Sequence, residues 1–316
     1  MKQQFYLGID TSCYTTSVAL FNGDSQLVAE ARKTLEVKVG KRGLQQSEMV
    51  FQHTRNLPNL IEKVIGGESY LFDAIGVSGA PRPIENSYMP AFLSGVAVAR
   101  SIAAATNASI YIISHQENHL EAGLWSASWN NAERFLMLHA SGGTTDLLVA
   151  EKQATGRYKL SLIGGSIDLH AGQFIDRIGV ALGLQFPSGP ALEHLANMAI
   201  NKATLPLSIN KMTMSLSGPA TAAQRLIDAG IDGATIALGV EYVLAETFAK
   251  VLLNAAEAYN VRNVLLVGGV NSNNYIRIHI KERLAKKNIK LWIPESQFSC
   301  DNAVGCAAFA WRMKHG

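Results

Sequence analysis

Two stretches of this sequence share one pattern, LGIDTSCYTTSVAL at residues 7–20 and LMLHASGGTTDLLV at residues 136–149. Each has an apolar run, a short polar turn and a second apolar run, which is the pattern of two β-strands joined by a turn. A long helical period follows each copy, and a strand of buried type, a second helix and a further strand come after it. Because these successive elements correspond in order, we interpret the chain as a duplication.

The duplicated elements predict two similar α/β lobes. In the first half we predict helices at about 47–65 and 90–105 and strands at 74–79 and 110–113. In the second half the corresponding helices are at about 235–259 and 273–285, and the strands are at 264–269 and 289–293. We expect a first lobe of residues 1–132, with a C-terminal helix 302–316 packing back on it, and a second lobe of residues 133–301. The small-residue turns are expected to converge on a central cleft between the lobes.

This organisation resembles the actin-like ATPase superfamily, which joins sugar kinases, heat-shock chaperones and actin. There, backbone N–H groups of the turns between paired strands cradle the phosphates of a nucleotide. The sequence has no G-x-x-x-x-G-K-[ST], so a P-loop is excluded by motif, and no G-x-G-x-x-G follows the first strand. Ligand binding would then depend on four glycine-containing turns, at 141–143, 164–165, 188–190 and 268–269.

Composition narrows the class of protein. Of the 316 residues, 48% are hydrophobic and 17% charged, which is ample material for buried cores and excludes general disorder. The formal charge of +3 is too small to indicate nucleic-acid binding by bulk charge. Three cysteines, Cys13, Cys300 and Cys306, form no C-x-x-C pair, and no apolar run of about 18 residues occurs. We therefore expect a cytoplasmic protein without a membrane segment.

A candidate metal site lies after the predicted strand 110–113. His115 and His119 are spaced so that both lie on one face of a helix and can chelate one ion, and Asp301 is the candidate third ligand. From spacing alone, two surface histidines and an Asp301 that only caps the last helix explain the pattern equally well. Gln116 stands where a zinc protease of the H-E-x-x-H type has its glutamate, so that class is disfavoured.

Several short motifs together resemble one family, the tRNA threonylcarbamoyladenosine synthases (TsaD), formerly described as O-sialoglycoprotein endopeptidases. They include the opening strand and turn, HxxxH, SGG, SID, a run resembling YPGGPAL, a segment resembling SFSG, GGVxxN and a C-terminal DNA. The matching segments in chain order are 7–13, 115–119, 141–143, 166–168, 186–192, 215–218, 268–273 and 301–303, with Asp176 as a single position. The resemblance therefore extends through nearly the whole chain.

The resemblance implies a two-lobed enzyme that transfers a threonylcarbamoyl group from its adenylate to N6 of the adenosine next to the anticodon. It assigns an iron or zinc ion to three ligands, His115, His119 and Asp301. The turn at the phosphate or acyl group would be Ser141, Gly142 and Gly143, with Asp10 as a further catalytic position. The binding positions for ATP or threonylcarbamoyl-adenylate would be Asp176, Gly189, Gly268, Gly269 and Asn273.

The chain also departs from the family pattern. Positions that usually carry a charge or an imidazole are occupied by Tyr14, Thr15, Thr144, Gln173 and Ala220. A change from glutamate to glutamine preserves shape but abolishes proton transfer.

These departures leave a second function open beside the transferase. A diverged paralogue could bind adenine nucleotide and metal and act as a regulatory or scaffold partner. A small-molecule kinase is the third interpretation, with Asp10 or Asp146 as general base. The expected partners are tRNA and another actin-like subunit, in a homodimer or a TsaB-like heterodimer.

Overall fold

The computed structural model describes residues 4–12, 14–37, 44–67 and 70–316, and Cys13 lies outside them. The chain divides into two compact units, residues 1–130 together with 301–316, and residues 131–300. Both divisions come slightly earlier in the chain than the boundaries expected from sequence. Asp301, which the sequence places at the end of the second lobe, therefore belongs to the first unit.

The first 130 residues form a mixed five-stranded sheet with helices. Its elements are β1 (Gln4–Asp10), β2 (Thr15–Asn22), β3 (Leu27–Thr34), α1 (Gln46–Ile65), β4 (Leu71–Ala80), α2 (Phe92–Thr106), β5 (Ser109–Ser114) and α3 (His115–Ser126). The strand order is β3-β2-β1-β4-β5, in which β1 is antiparallel to β2 and parallel to β4. Leu7 and Ile9 point to one face, where helices α1 and α2 supply Leu57 and Ala99 to the same core.

Residues 131–300 form the second unit. Its elements are β6 (Arg134–Ala140), β7 (Thr145–Lys152), β8 (Tyr158–Ser166), α4 (Ala171–Ala181), α5 (Gly189–Ala196), β9 (Ile209–Asn210), β10 (Thr213–Met214), α6 (Ser217–Asp228), α7 (Gly233–Ala258), β11 (Asn263–Val267), a 3₁₀ turn (Gly269–Ser272), α8 (Asn274–Ala285), β12 (Lys290–Trp292) and α9 (Ser296–Ser299). Its strand order is β12-β11-β6-β7-β8-β10-β9. The long helix α7 lies at the centre of its core, with Val240, Leu244 and Phe248 fully buried.

The predicted duplication is confirmed by the two sheets. Strands β8-β7-β6-β11-β12 repeat the order β3-β2-β1-β4-β5, and the parallel and antiparallel pairs fall at the same places in both copies. Helices α7 and α8 occupy the places of α1 and α2 in the chain order. The second copy contains an additional segment between β8 and α7, which carries α4, α5, α6 and a short hairpin.

Helix α10 (Val304–His315) returns to the first unit and covers the second face of its sheet. Gly8 and Gly76 are paired across β1 and β4 on this face. A Cβ atom on Gly76 would lie 2.0 Å from the carbonyl oxygen of Cys306, and one on Gly8 would lie 2.2 Å from that of Ala303. The helix backbone therefore rests directly on the sheet, because these two positions carry no side chain.

Two further features are the absence or presence of a membrane-spanning helix and the burial of the cysteines. Among the described residues, no helix combines the length and the apolarity needed to cross a bilayer. Of the cysteines in the described part of the chain, Cys306 is buried and Cys300 is exposed.

Candidate metal centre and nucleotide-binding turns

The two histidines are placed by the start of helix α3, which follows β5 without an intervening loop. Ser114 caps the helix: its hydroxyl accepts the N–H of Glu117 at 3.1 Å, and the Glu117 carboxylate accepts the N–H of Ser114 at 2.7 Å. This reciprocal capping box fixes the first helical turn. His115 is thus the first helical residue and His119 follows one turn later, as predicted, while Glu117 is occupied by the cap.

The structure brings the three predicted metal ligands together. The Nε2 atoms of His115 and His119 are 3.1 Å apart, and Asp301 Oδ1 lies 3.5 Å and 3.4 Å from them respectively. Two nitrogens bound at about 2.0–2.1 Å to one tetrahedral zinc ion would be about 3.3 Å apart. Two imidazoles and a carboxylate are also a donor set that suits zinc or iron. The geometry and the donor set therefore fit a shared metal ion.

The charges around this cluster are unevenly distributed. Burial lowers the pKa of His115, but Asp10 and Asp301 outweigh burial and raise it to about 10. Burial and the neighbouring His115 lower the pKa of His119. Burial would raise the pKa of Asp301, but hydrogen bonds and charge from the two histidines hold it well below its usual range. In the metal-free protein at neutral pH the cluster therefore carries one imidazolium, one neutral imidazole and one carboxylate.

Asp10 lies at the end of β1, fully buried, with Oδ2 3.6 Å from His115 Nδ1. Ser12 donates to Oδ2 at 2.6 Å, and the hydroxyl of Ser78 donates to Oδ1. The two hydroxyls hold the carboxylate towards the ring nitrogen that faces away from Asp301. Through this contact Asp10 sets the orientation of the His115 ring.

The segment before α10 bears on the alternative in which Asp301 only caps the last helix. Asp301 does not cap the helix, which begins at Val304. Instead, the side-chain oxygen of Asn302 accepts the N–H of Val304 at 2.9 Å. The cap is therefore supplied by the residue after the ligand, and the Asp301 carboxylate is directed to the histidines.

In the second unit, the predicted turn at 141–143 joins β6 to β7. The N–H of Ser141 donates to Thr144 O at 2.8 Å, which closes the turn, and the N–H of Gly172 donates to Ser141 O at 3.1 Å. Gly142 and Gly143 are exposed, and a Cβ on either would meet no atom within 4 Å. The turn is thus held by helix α4 on one side and leaves the two glycine backbones accessible.

Gly268 lies next to this turn. Its φ of 96° is the left-handed conformation that favours glycine, and a Cβ there would lie 2.3 Å from Ala140 O. Strands β6 and β11 are parallel neighbours, so their carboxyl ends meet at one edge of the sheet. Gly268, the exposed Gly269 and the turn at 141–143 therefore lie at the same edge, where α/β sheets commonly bind ligands.

The remaining predicted positions lie at or near helix α5. Asp176 accepts the N–H of Ser188, directly before Gly189, at 2.7 Å, and burial raises the Asp176 pKa although this bond opposes the rise. Within α5, the Glu193 carboxylate accepts the N–H of Asn274 at 2.8 Å. The neighbouring Asn273 is the last predicted position of this group. Asp176 therefore contacts the residue before Gly189, and α5 contacts the residue after Asn273.

Asn273 is held by a residue that sequence reasoning missed. Its Oδ1 caps α8 by accepting the N–H of Ile276 at 2.9 Å, and its Nδ2 donates to Glu241 Oε1 at 2.5 Å. Glu241 is buried in α7, where burial raises its pKa to about 7 although the Asn273 hydrogen bond opposes the rise. The available signal was a single glutamate in the apolar run 234–245.

The five departures from the family pattern occupy varied environments. Gln173 accepts the N–H of His170 at 3.2 Å and so completes a capping box of α4. Ala220 is 1% exposed in α6, a position with no open path for a charged side chain. Thr15 begins β2, and the backbone oxygens of Tyr14 and Thr144 accept hydrogen bonds from Leu35 and Ser141. These residues thus have structural contacts of their own.

Comparison with known proteins identifies relatives along the whole chain. The sequence model of the TsaD family, described as tRNA N6-adenosine threonylcarbamoyltransferase, matches residues 43–308. A protein of that name from Thermus thermophilus is 30% identical over 320 residues, which covers 99% of this chain and 93% of the relative.

Solved structures of more distant sequence share the fold. Component A of the (R)-2-hydroxyglutaryl-CoA dehydratase of Acidaminococcus fermentans superposes with a TM-score of 0.57 at 15% identity, covering 99% of each chain. A ROK family glucokinase from Streptomyces griseus gives a TM-score of 0.56 at 10% identity, covering 99% of this chain and 100% of the glucokinase. The predicted actin-like ATPase fold is confirmed by these neighbours. The family-model match over residues 43–308 and the 30% identity to the Thermus thermophilus relative lead to one assignment: this chain belongs to the TsaD family of tRNA N6-adenosine threonylcarbamoyltransferases.

Proposed function

We propose that this chain transfers a threonylcarbamoyl group from its adenylate to N6 of the adenosine next to the anticodon of a tRNA. In this acyl transfer the bond from N6 to the carbamoyl carbon forms, N6 gives up one proton to solvent, the anhydride bond to phosphate breaks, and AMP leaves. The observation that carries the proposal is the cluster of His115, His119 and Asp301, whose ligand atoms all lie within 4.8 Å of one another, in a chain of this family.

In the first unit, the residues of the chain prepare the metal site. His119 is buried and its pKa is lowered, so its ring is neutral and offers a lone pair at neutral pH. Asp10 fixes the ring of His115, and Asp301 supplies the negative charge. A bound iron or zinc ion would polarise the carbonyl that is attacked.

In the second unit, the turns bind and orient the adenylate. The exposed backbones of Gly142 and Gly143 are accessible to a phosphate or acyl oxygen. Asp176 would hold the ribose, because a carboxylate suits a pair of ribose hydroxyls. Asn273, whose amide is held by Glu241 and the start of α8, would lie beside the adenine. Gly189, Gly268 and Gly269 supply backbone without side chains beside these groups.

The test is formation of threonylcarbamoyladenosine in a tRNA transcript. The metal-loaded protein is incubated with threonylcarbamoyl-adenylate and the transcript, and nucleosides are quantified by mass spectrometry after digestion. We expect product with the wild type and loss of at least about 100-fold in rate for His119→Ala, because removal of a ligand disables the site. Glu121→Gln is the matched control, since Glu121 lies on the same helix but contacts Arg312 of α10.

The same experiment also tests the alternative function, that of a regulatory or scaffold partner. A folded, metal-loaded wild type that forms no product would overturn the transferase proposal. Calorimetric titration with ATP then shows whether adenine nucleotide binding remains. Asp176→Asn is the variant for that titration, because it keeps the shape of the side chain that holds Ser188 while removing its charge.

A further inference from the structure

We propose that Asn118 is a positioning residue of the metal centre, whose amide holds the loop of Asp301 against helix α3. The inference rests on the metal site of the proposed function and adds a residue that binds no ion itself. Asn118 lies on α3 between the two histidine ligands, and its side chain is 1% exposed. It is therefore close to the site but contributes no ligand atom to the cluster.

The tether is a hydrogen bond between two segments far apart in the chain. Asn118 Nδ2 donates to the backbone carbonyl of Asn302 at 2.6 Å. A carbonyl can only accept, so this contact fixes which end of the amide faces the loop. Asn302 directly follows Asp301, and the bond therefore restrains the backbone beside the third ligand.

The start of α10 packs closely on α3 at the same residue, Asn118. A Cβ on Gly305 would lie 1.9 Å from the backbone oxygen of Asn118 and 2.5 Å from its Oδ1. Helix α10 thus begins with its backbone against α3 at Asn118. The Asp301 loop joins α10 at this point, and the hydrogen bond from Asn118 holds the Asn302 peptide in place.

The amide of Asn118 has an energetic cost that packing alone does not explain. Its Oδ1 is buried and accepts no hydrogen bond from the described part of the chain. A buried unsatisfied acceptor costs about 1–3 kcal/mol, and an apolar side chain of similar size would avoid that cost. The donor bond to the Asp301 loop is the contact that an apolar side chain would lose.

All three ligands are consequently fixed to one element. Helix α3 carries His115 and His119 directly, and through Asn118 it also restrains Asp301 at 3.4–3.5 Å from both rings. Without the tether, the carboxylate would have to be ordered when the ion binds. Loss of such a supporting contact lowers metal affinity by about 10–100-fold in other sites.

The experiment compares Zn²⁺ affinity, by competition with a chromophoric chelator, and the visible spectrum of bound Co²⁺. Asn118→Leu removes the donor at similar size, and Asn118→Ala is a second variant in case leucine is not accommodated. We expect about 10–100-fold weaker Zn²⁺ binding and an altered Co²⁺ spectrum in both. Metal-free Asn118→Leu should keep a thermal midpoint close to that of the wild type. The substitution loses the hydrogen bond to the Asn302 carbonyl, but it also removes the buried, unsatisfied Oδ1, and the two effects oppose each other.

Two controls separate the possible failures. Glu121→Gln weakens the contact of α3 with α10 away from the loop and should retain wild-type affinity and spectrum. His119→Ala should abolish tight binding. If wild type and His119→Ala bind Zn²⁺ equally, the metal site itself is wrong; if His119→Ala fails as expected but folded Asn118 variants bind like wild type, only the role of Asn118 is overturned.

Discussion

At the scale of residues, His115 must lose a proton before it can bind a metal ion. Burial lowers its pKa, but Asp10 and Asp301 raise it to about 10, whereas His119 and Asp301 are already in their ligand forms at neutral pH. Each Zn²⁺ bound below pH 10 should therefore displace one proton. We expect the affinity to rise about tenfold per pH unit between pH 7 and 9.

Calorimetry in buffers of different ionisation enthalpy measures that proton. Asp10→Asn is the informative variant, because it removes the largest charge that raises the His115 pKa while preserving shape. Its proton release near pH 8 should be clearly smaller than in wild type. Equal proton release in the two proteins, or none in either, would contradict the assigned charges.

A second residue-scale prediction concerns Glu241. Burial, opposed by the Asn273 hydrogen bond, raises its pKa from 4.5 to about 7. The folded state therefore binds more protons than the unfolded state between these values, and the free energy of unfolding should fall as pH rises through this window. Glu241→Gln should remove up to about 3 kcal/mol of that fall. Urea unfolding at pH 5 and pH 8 measures the difference.

The matched control for Glu241 is Glu257→Gln, an exposed glutamate of the same helix. Its pH profile should follow that of the wild type. The contrary result is a free energy of unfolding that falls no more between pH 5 and pH 8 in the wild type than in Glu241→Gln. Glu241 would then ionise in the folded state as it does in the unfolded state.

At the scale of elements, the approach of α10 to its sheet depends on two glycines. Gly76→Ala would place a methyl group 2.0 Å from the carbonyl oxygen of Cys306, so the helix must shift away. We expect a loss of about 3 kcal/mol in the free energy of unfolding, at the upper end of overpacking effects. Gly23→Ala is the control, because its nearest atom would be 3.9 Å away. Similar stability of the two variants in urea would contradict direct packing of α10.

Sequence patterns predict most of the strands and helices in the two duplicated sheets, because the hydrophobic periods of strands and helices are clear in both copies. The helix start at His115 was also predictable, since S-x-x-E before it is a capping signal. The segment with α4, α5 and α6 was not predicted as such, because its helices are short and interrupted by loops. Its contacts, such as Glu193 with Asn274, depend on chain folding rather than on local spacing.

The candidate metal site, too, was only partly predictable from local sequence patterns. The i, i+4 spacing identifies two ligands, but only the folded chain brings Asp301 to them from 182 positions beyond His119. Residues that position other site residues belong to no recognisable sequence motif. Asn118 is a single amide within α3, and Glu241 is a single carboxylate within α7. Sequence reasoning also left open that Asp301 caps α10, whereas the Asn302 side chain accepts the N–H of Val304 at the start of that helix. A neighbouring pair of capping residues cannot be separated by pattern alone.

At the scale of the whole molecule, the two units differ in how the chain builds them. Residues 131–300 are contiguous and contain their own core, centred on α7. The first unit instead needs residues 301–316, because α10 buries Cys306 and Phe309 against its sheet. A chain segment without its covering helix exposes apolar surface, at about 25 cal/mol per Å².

This difference predicts unequal behaviour of two fragments. Fragment 131–300 should unfold cooperatively in urea, with the far-ultraviolet circular dichroism of a folded α/β protein. Fragment 1–130 should unfold at clearly lower urea concentration or remain partly unfolded, because the Gly8 and Gly76 face is uncovered. Adding a peptide of residues 301–316 should raise its midpoint, while the same peptide with Cys306→Asp should not, since a charge would enter a fully buried position. A fragment 1–130 as stable alone as with the peptide would show that α10 is not part of its core.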